Sequence, residues 1–276
     1  MGQCKFCKKS AWLFRKKHKA CEIKYISNSN KIKELLEFSL KWDTDFSWLK
    51  NTIDTLAKEW FINKDTLDDI YTSIYDDAVQ RFLYDGILTE KEEENLSLFE
   101  ENFWLNQDIL NKNWSFWNFM KAIIIRDLAQ WKMPLVTFNV IGKLPLKFEE
   151  DEKIVWLFED VELFESPKKL EEREIFPTSA KEGENGPYFR TLLFKENTID
   201  PKKITFIDQG MFVITNKNIY FDAESLRTKI SLAEIKNLFS YEDGIGIEIE
   251  DATVLPQIFK GIDWWFSYNV ISNLKK

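Results

Sequence analysis

One histidine and three cysteines are the chain's whole supply of the residue types that most often bind transition metals or act as activated nucleophiles. With so few, a Ser–His–Asp or Cys–His catalytic arrangement would have to spend the single histidine. Neither a P-loop nor a G-x-G-x-x-G run occurs, so the sequence has no glycine cradle for a nucleotide phosphate. No segment approaches the ~18 consecutive apolar residues that read as a membrane span. The strongest short run, Ala122 to Ile125, is flanked at once by Lys121 and Arg126. The start, Met1-Gly2-Gln3-Cys4-Lys5, lacks the apolar core of a secretory signal. Phe6 stands where an N-myristoylation signal wants Ser or Thr. Acid runs such as Glu92-Glu93-Glu94 and Glu149-Glu150-Asp151-Glu152 read as solvated faces, with no pair singled out as acid and base. These absences together predict a cytoplasmic protein that is not an enzyme, with no small-molecule substrate indicated.

What little Cys and His there is lies within eighteen residues, as Cys4, Cys7, His18 and Cys21 in the order C-x2-C-x10-H-x2-C. Two close pairs joined by a short loop supply four soft or borderline donors to one tetrahedral ion, and zinc is the ion that this set predicts. Three thiolates and a neutral imidazole give such a site a charge near −1, which surrounding lysines offset. A disulfide reading fails because three cysteines leave one unpaired. A catalytic reading fails because all four positions are filled and no carboxylate lies inside the loop as a base. A module this short has almost no core, so the metal would provide most of its folding energy.

From about Asn30 to Gln130 the apolar spacing is helical. Phe46, Leu49, Ile53, Leu56 and Trp60 form one face; Leu67, Ile70, Ile74, Ala78 and Phe82 form another. Gly86 predicts a stop, and Thr89 with Glu92 predicts a capping box at the next start. Pro134 closes the helical region. The aromatic stretch Phe103, Trp104, Trp114, Phe116, Trp117, Phe119 reads as core. The turn Asp85-Gly86-Ile87-Leu88-Thr89-Glu90 lacks the ligand pattern of a calcium loop. Over about eight residues it resembles the D-G-x-L-T-x-x-E turn of bacterial helical stress-response domains, including the tellurite-resistance type.

After Leu135 the period becomes two. Strands are predicted at 136–140, 154–158, 203–207, 210–215, 218–221 and 246–249, with a hairpin turn at Thr215-Asn216-Lys217-Asn218. A final helix is predicted over 264–274 with Trp265, Tyr268, Ile271 and Leu274 on one face. The run GMFVITNKNIYF (210–221), the turn Tyr241-Glu242-Asp243-Gly244-Ile245 and the terminal Trp265-Phe266-Ser267-Tyr268-Asn269 resemble a bacterial pleckstrin-homology-like, GRAM-related domain. EDEKIVWLFEDVELFE (150–165) is similar to that family's first strand. The resemblance covers roughly Phe148 to Leu274 and implies a small curved sheet or barrel plugged by the terminal helix. It implies little about activity.

The fold class expected is therefore multidomain α+β: a zinc ribbon or knuckle over 1–25, an all-α domain over 30–134 and the pleckstrin-like domain over 136–276. Net charge is −8. Residues 1–24 hold eight basic groups against Glu22 alone, a local +7 that leaves −15 on the rest. An adaptor that binds a protein partner joins these parts. Two alternatives stand beside it. One is nucleic-acid binding through Lys5, Arg15, Lys16, Lys17 and Lys19, with Phe6, Trp12 and Phe14 for stacking. The other is lipid binding by the pleckstrin-like domain, which the mixed charge of the Ser166–Arg190 loop disfavours.

Eleven tryptophans against nine glycines is itself peculiar, because ordinary chains contain ~7% glycine. Trp131, Trp60 and Trp12 occupy places that suit a small or positive-φ residue. Trp264 stands where the resembling family has glycine. Two readings are open: an aromatic-rich core, or UGA codons written as tryptophan that the source organism reads as glycine.

Overall fold

The structure, a computed structural model, describes residues 2–11, 16–42, 44–85, 88–110, 114–134, 146–167, 180–183, 186–189, 203–241 and 243–275. The chain is α+β and divides into two compact units, Met1–Leu83 with Leu88–Met120, and Tyr84–Ile87 with Lys121–Lys276.

In the first unit a two-stranded ladder, β1 (Gly2–Gln3) and β2 (Ser10–Ala11), precedes helix α1 (Lys19–Lys41). That helix runs unbroken across residues 26–29, which the sequence reading leaves between the zinc module and the helical domain. It buries Ile32, Leu36 and Leu40, one residue per turn. Helix α2 (Phe46–Glu59) starts where the Asp45 carboxylate accepts the amides of Ser47 and Trp48 at 2.9 and 3.1 Å. It buries Phe46, Leu49, Ile53 and Ala57. Helix α3 is Lys64–Asp85, and α4 (Glu90–Phe103) begins with the capping box of Thr89 and Glu92. A short α5 (Gln107–Leu110) precedes α6 (Ser115–Ala129), whose residues from Lys121 onward belong to the second unit. Phe46, Tyr71, Phe99 and Phe103 form an aromatic cluster, with Tyr71 and Phe103 4.5 Å apart. Phe103 and Phe119 are core as expected, but Trp104 and Trp114 lie in solvent and Trp117 is partly exposed.

The second unit holds a seven-stranded antiparallel sheet. Its strands are β3 (Ile154–Glu165), β6 (Thr205–Thr215), β7 (Asn218–Ala223), β8 (Arg227–Ser231), β9 (Ile235–Tyr241), β10 (Gly244–Ile249) and β11 (Gln257–Lys260). The order is β8-β7-β6-β3-β11-β10-β9. A separate hairpin pairs β4 (Ala180–Gly183) with β5 (Gly186–Phe189). The two strands expected at 203–207 and 210–215 are one strand, β6, whose run continues through Asp208 and Gln209 opposite β3. Gly210 permits that continuity, since a Cβ there would overlap the carbonyl of Asp222 on β7. The expected strand at 136–140 lies outside the described residues.

Helix α7 (Trp264–Leu274) follows the sheet, its N-cap Asp263 accepting the amide of Phe266 at 3.0 Å. Lys121 Nζ stands 2.6 Å from the other oxygen of Asp263. The helix does not bury the narrow stripe that its sequence suggests. Trp265, Phe266, Ser267, Asn269, Val270, Ile271 and Asn273 are all buried, while Tyr268 and Leu274 are half-buried. Asn269 and Asn273 can be buried because each side-chain amide donates to the carbonyl four residues earlier, at 2.9 Å. The core beside it is apolar: Val155, Phe212, Phe221, Ile245, Phe259 and Phe266 are fully enclosed.

Candidate metal centre

Backbone hydrogen bonds build the first half of the site. Lys8 N–H donates to Cys4 O at 2.9 Å, and Cys4 N–H donates to Lys9 O at 2.9 Å, closing a tight turn over Cys-x-x-Cys. Lys8, directly after Cys7, takes a left-handed φ of 56° to make the turn. Lys5 N–H donates to Lys16 O at 2.8 Å and ties the turn to the segment that carries the second pair.

The second pair sits at the start of α1. His18 is the helix N-cap, with extended φ −86° and ψ 139°, and Cys21 lies in the first turn. An N-cap side chain ordinarily accepts a helical amide. That of His18 makes no such bond, because its ring is turned to the sulfurs. Nδ1 lies 3.3 Å from Cys7 Sγ and 3.7 Å from Cys21 Sγ, and the His18 amide donates to Cys4 Sγ at 3.4 Å. The other ring nitrogen, Nε2, lies 3.0 Å from Ser10 O. A carbonyl can only accept, so the proton belongs on Nε2 and the Nδ1 lone pair faces the thiols.

The four donor atoms all lie within 4.8 Å of one another, and the group could hold a metal ion. Cys4 is fully buried, with Phe6 and Ala11 beside it and Cys7, Cys21 and Tyr25 packed around them. Burial alone would raise the Cys4 thiol. The amides of Cys7, His18 and Phe6 and the Cys7 thiol outweigh it and bring the pKa down to about 6. At Cys21 burial acts with the neighbouring sulfurs of Cys7 and Cys4, and the thiol is pushed up to about 11. The Ser10 carbonyl, followed by Cys7, raises the pKa of His18. The site is thus a sulfur-rich pocket with one thiolate already favoured and a histidine held in one tautomer.

All four residues singled out by spacing are brought together. The Ser10 carbonyl and the left-handed turn at Lys8 were not foreseen, since neither has a side-chain signature in the sequence. Lys5, Lys16, Lys17 and Lys19 are exposed around the group, and Lys17 is ion-paired with Glu22. Arg15, Trp12 and Phe14 lie outside the described residues. Phe6 is not a stacking surface: it is 6% exposed, and its ring lies 4.7 Å from that of Tyr25. Among the described residues no helix is long and apolar enough to cross a membrane. Compared with family models, curated proteins and solved structures, the chain matches none.

Proposed function

We propose that the chain is a non-enzymatic cytoplasmic adaptor, with a structural zinc ion in its first unit and a pleckstrin-like second unit that receives a protein partner. The observation that carries the zinc reading is the placement of His18 Nδ1 beside the thiols while Nε2 is held by Ser10 O. Backbone carbonyls commonly fix metal-binding histidines in this way. Tetrahedral zinc with Zn–S of about 2.3 Å and Zn–N of about 2.0 Å places sulfur and nitrogen about 3.5 Å apart. The distances of 3.3 and 3.7 Å fit that figure. The ion supplies a cross-link rather than a reaction, because protein fills all four positions. It ties the Cys4–Cys7 turn to the first turn of α1. Three thiolate ligands suit a reducing compartment.

The pleckstrin-like reading is supported by connectivity. Strands β3, β6, β7 and β8 form one meander and β9, β10 and β11 another; β3 pairs with β11, and a helix follows. The adaptor reading is supported by chemistry: the only histidine and every cysteine belong to the metal group, which leaves the second unit with neither. Nucleic-acid binding is the second reading, favoured by the Lys5–Lys16 backbone bond that draws exposed lysines together beside the metal group.

The two separate in one titration. Fluorescence anisotropy with single-stranded and duplex oligonucleotides should show no binding at physiological salt, and partner binding should survive K16E/K17E. Oligonucleotide binding that weakens steeply with salt and is lost in K16E/K17E would replace the adaptor reading.

A further inference from the structure

We infer that positions 104, 114 and 131 are glycine in the protein as its native cell makes it, the tryptophans standing for UGA codons which that cell decodes as glycine. The backbone carries this. φ is 59° at Trp104, 63° at Trp114 and 61° at Trp131. In that region a Cβ crowds the following carbonyl, so a bulky residue is an outlier while glycine fits without steric cost. Among the described residues only one glycine, Gly261, has positive φ. Besides Gly261, seven non-glycine residues among the described ones have positive φ, and three of the seven are tryptophans. Tryptophan makes up 11 of 276 residues in the chain, yet among the described residues it supplies three of the seven non-glycine positions with positive φ. Two of the other four are Asp151 and Asp160, a residue type that visits this region locally.

Hydrogen bonding at two of the positions is that of a glycine helix stop. After α4, Trp104 N–H donates to Glu100 O, and Leu105 N–H donates to the same oxygen at 3.0 Å. After α6, Lys132 N–H donates to Asp127 O at 2.8 Å and Trp131 N–H to Leu128 O at 3.1 Å. Closures reaching five residues back wrap a left-handed residue, by preference glycine. Little burial compensates, since the residues are 78%, 71% and 68% exposed. Trp104 has Lys50 Nζ 5.0 Å from its ring, a surface cation–π contact of the weak class.

The other positions suspected from sequence separate from these. Trp60 has φ −117°, and the left-handed residue is its neighbour Phe61. Trp264 is the first residue of α7. Trp12 lies outside the described residues. One consequence is functional: exposed rings at 104, 114 and 131 would not exist in the native protein, so they form no stacking or docking surface there.

Peptide mass spectrometry of the protein isolated from its native cells reads the three residues directly. Glycine at all three is the result expected; tryptophan at any of them overturns the assignment at that position. Thermal unfolding of the recombinant chain tests the backbone argument separately. W104G/W114G/W131G should raise the midpoint by about 2 to 4 °C per position. W48G, which removes an exposed ring from within helix α2, should lower it. A triple variant that melts at or below the parent overturns the backbone argument.

Discussion

His18 Nε2 and the carbonyl oxygen of Ser10 lie 3.0 Å apart, and this contact decides which ring nitrogen meets the three sulfurs. It fixes the tautomer of His18 and leaves Nδ1 free to serve as a metal donor beside the thiols. His18→Ala should abolish tight metal binding, whereas His18→Cys should retain it as a four-sulfur site. Cobalt substitution reads the difference: the thiolate charge-transfer band survives in H18C and is lost in H18A. Equal loss in both variants would mean that the ring has a purely structural role.

Metal loading should release protons. Cys21 is raised to about 11 by burial and its sulfur neighbours, so the metal-free protein holds that proton at neutral pH and binding must displace it. Apparent affinity should therefore rise with pH between about pH 6 and 8. An indicator dye measures the release, and a flat affinity profile would contradict it. Cys4 behaves oppositely in the metal-free chain. Its depressed pKa stabilises the fold above the ordinary thiol value of 9.0, and that contribution disappears as pH falls through about 6.

Glu152 gathers the start of β3 and the β6–β7 hairpin. Its carboxylate accepts from Thr215 Oγ1 at 2.5 Å, Asn218 Nδ2 at 2.9 Å, Tyr220 Oη at 2.8 Å and the Glu149 amide at 2.8 Å. Burial would raise its pKa, but these donors outweigh burial and lower it. A lowered carboxylate pKa adds stability above the ordinary value of 4.5, which is lost as pH falls through the lowered one. E152A should cost about 2 kcal/mol in denaturant unfolding, and E152Q less. An unchanged midpoint for E152A would remove Glu152 from this role.

Tyr75 and Glu100 join α3 to α4. The fully buried Tyr75 donates its hydroxyl to Glu100 Oε1 at 2.6 Å. Burial raises the Glu100 pKa, and the Tyr75 bond only partly opposes it. A raised carboxylate pKa contributes stability below its ordinary value, lost as pH rises through the raised one. Y75F should therefore destabilise by about 1 to 3 kcal/mol at neutral pH, since it strips the carboxylate of a donor. The loss should shrink in acid. A loss independent of pH would indicate packing alone.

The Cys/His cluster was legible because chemistry and spacing coincide: two short Cys/His pairs are rare in a chain with so few such residues. The helices were legible where caps carry side-chain signatures, as at Thr89 with Glu92. Strand β6 was misread because Asp208 and Gln209 look like a turn; in the fold they are ladder residues opposite β3. Strands β8, β9 and β11 were missed. Arg227–Ser231 and Gln257–Lys260 are too short to display alternation, and β9 mixes Lys236 and Asn237 into its run. Helix α7 defeated its periodicity because Asn269 and Asn273 satisfy their amides on the helix's own carbonyls and so tolerate burial. Trp104 and Trp114 were misplaced in the core because hydrophobicity says nothing of φ.

Metal content is the most direct test of the central claim. Protein purified under reducing conditions without added metal should contain one zinc per chain by elemental analysis, and Cys4→Ser and Cys21→Ser should each lose it. Zinc-free wild-type protein that keeps a folded α1, or variants that retain full zinc, would contradict the account.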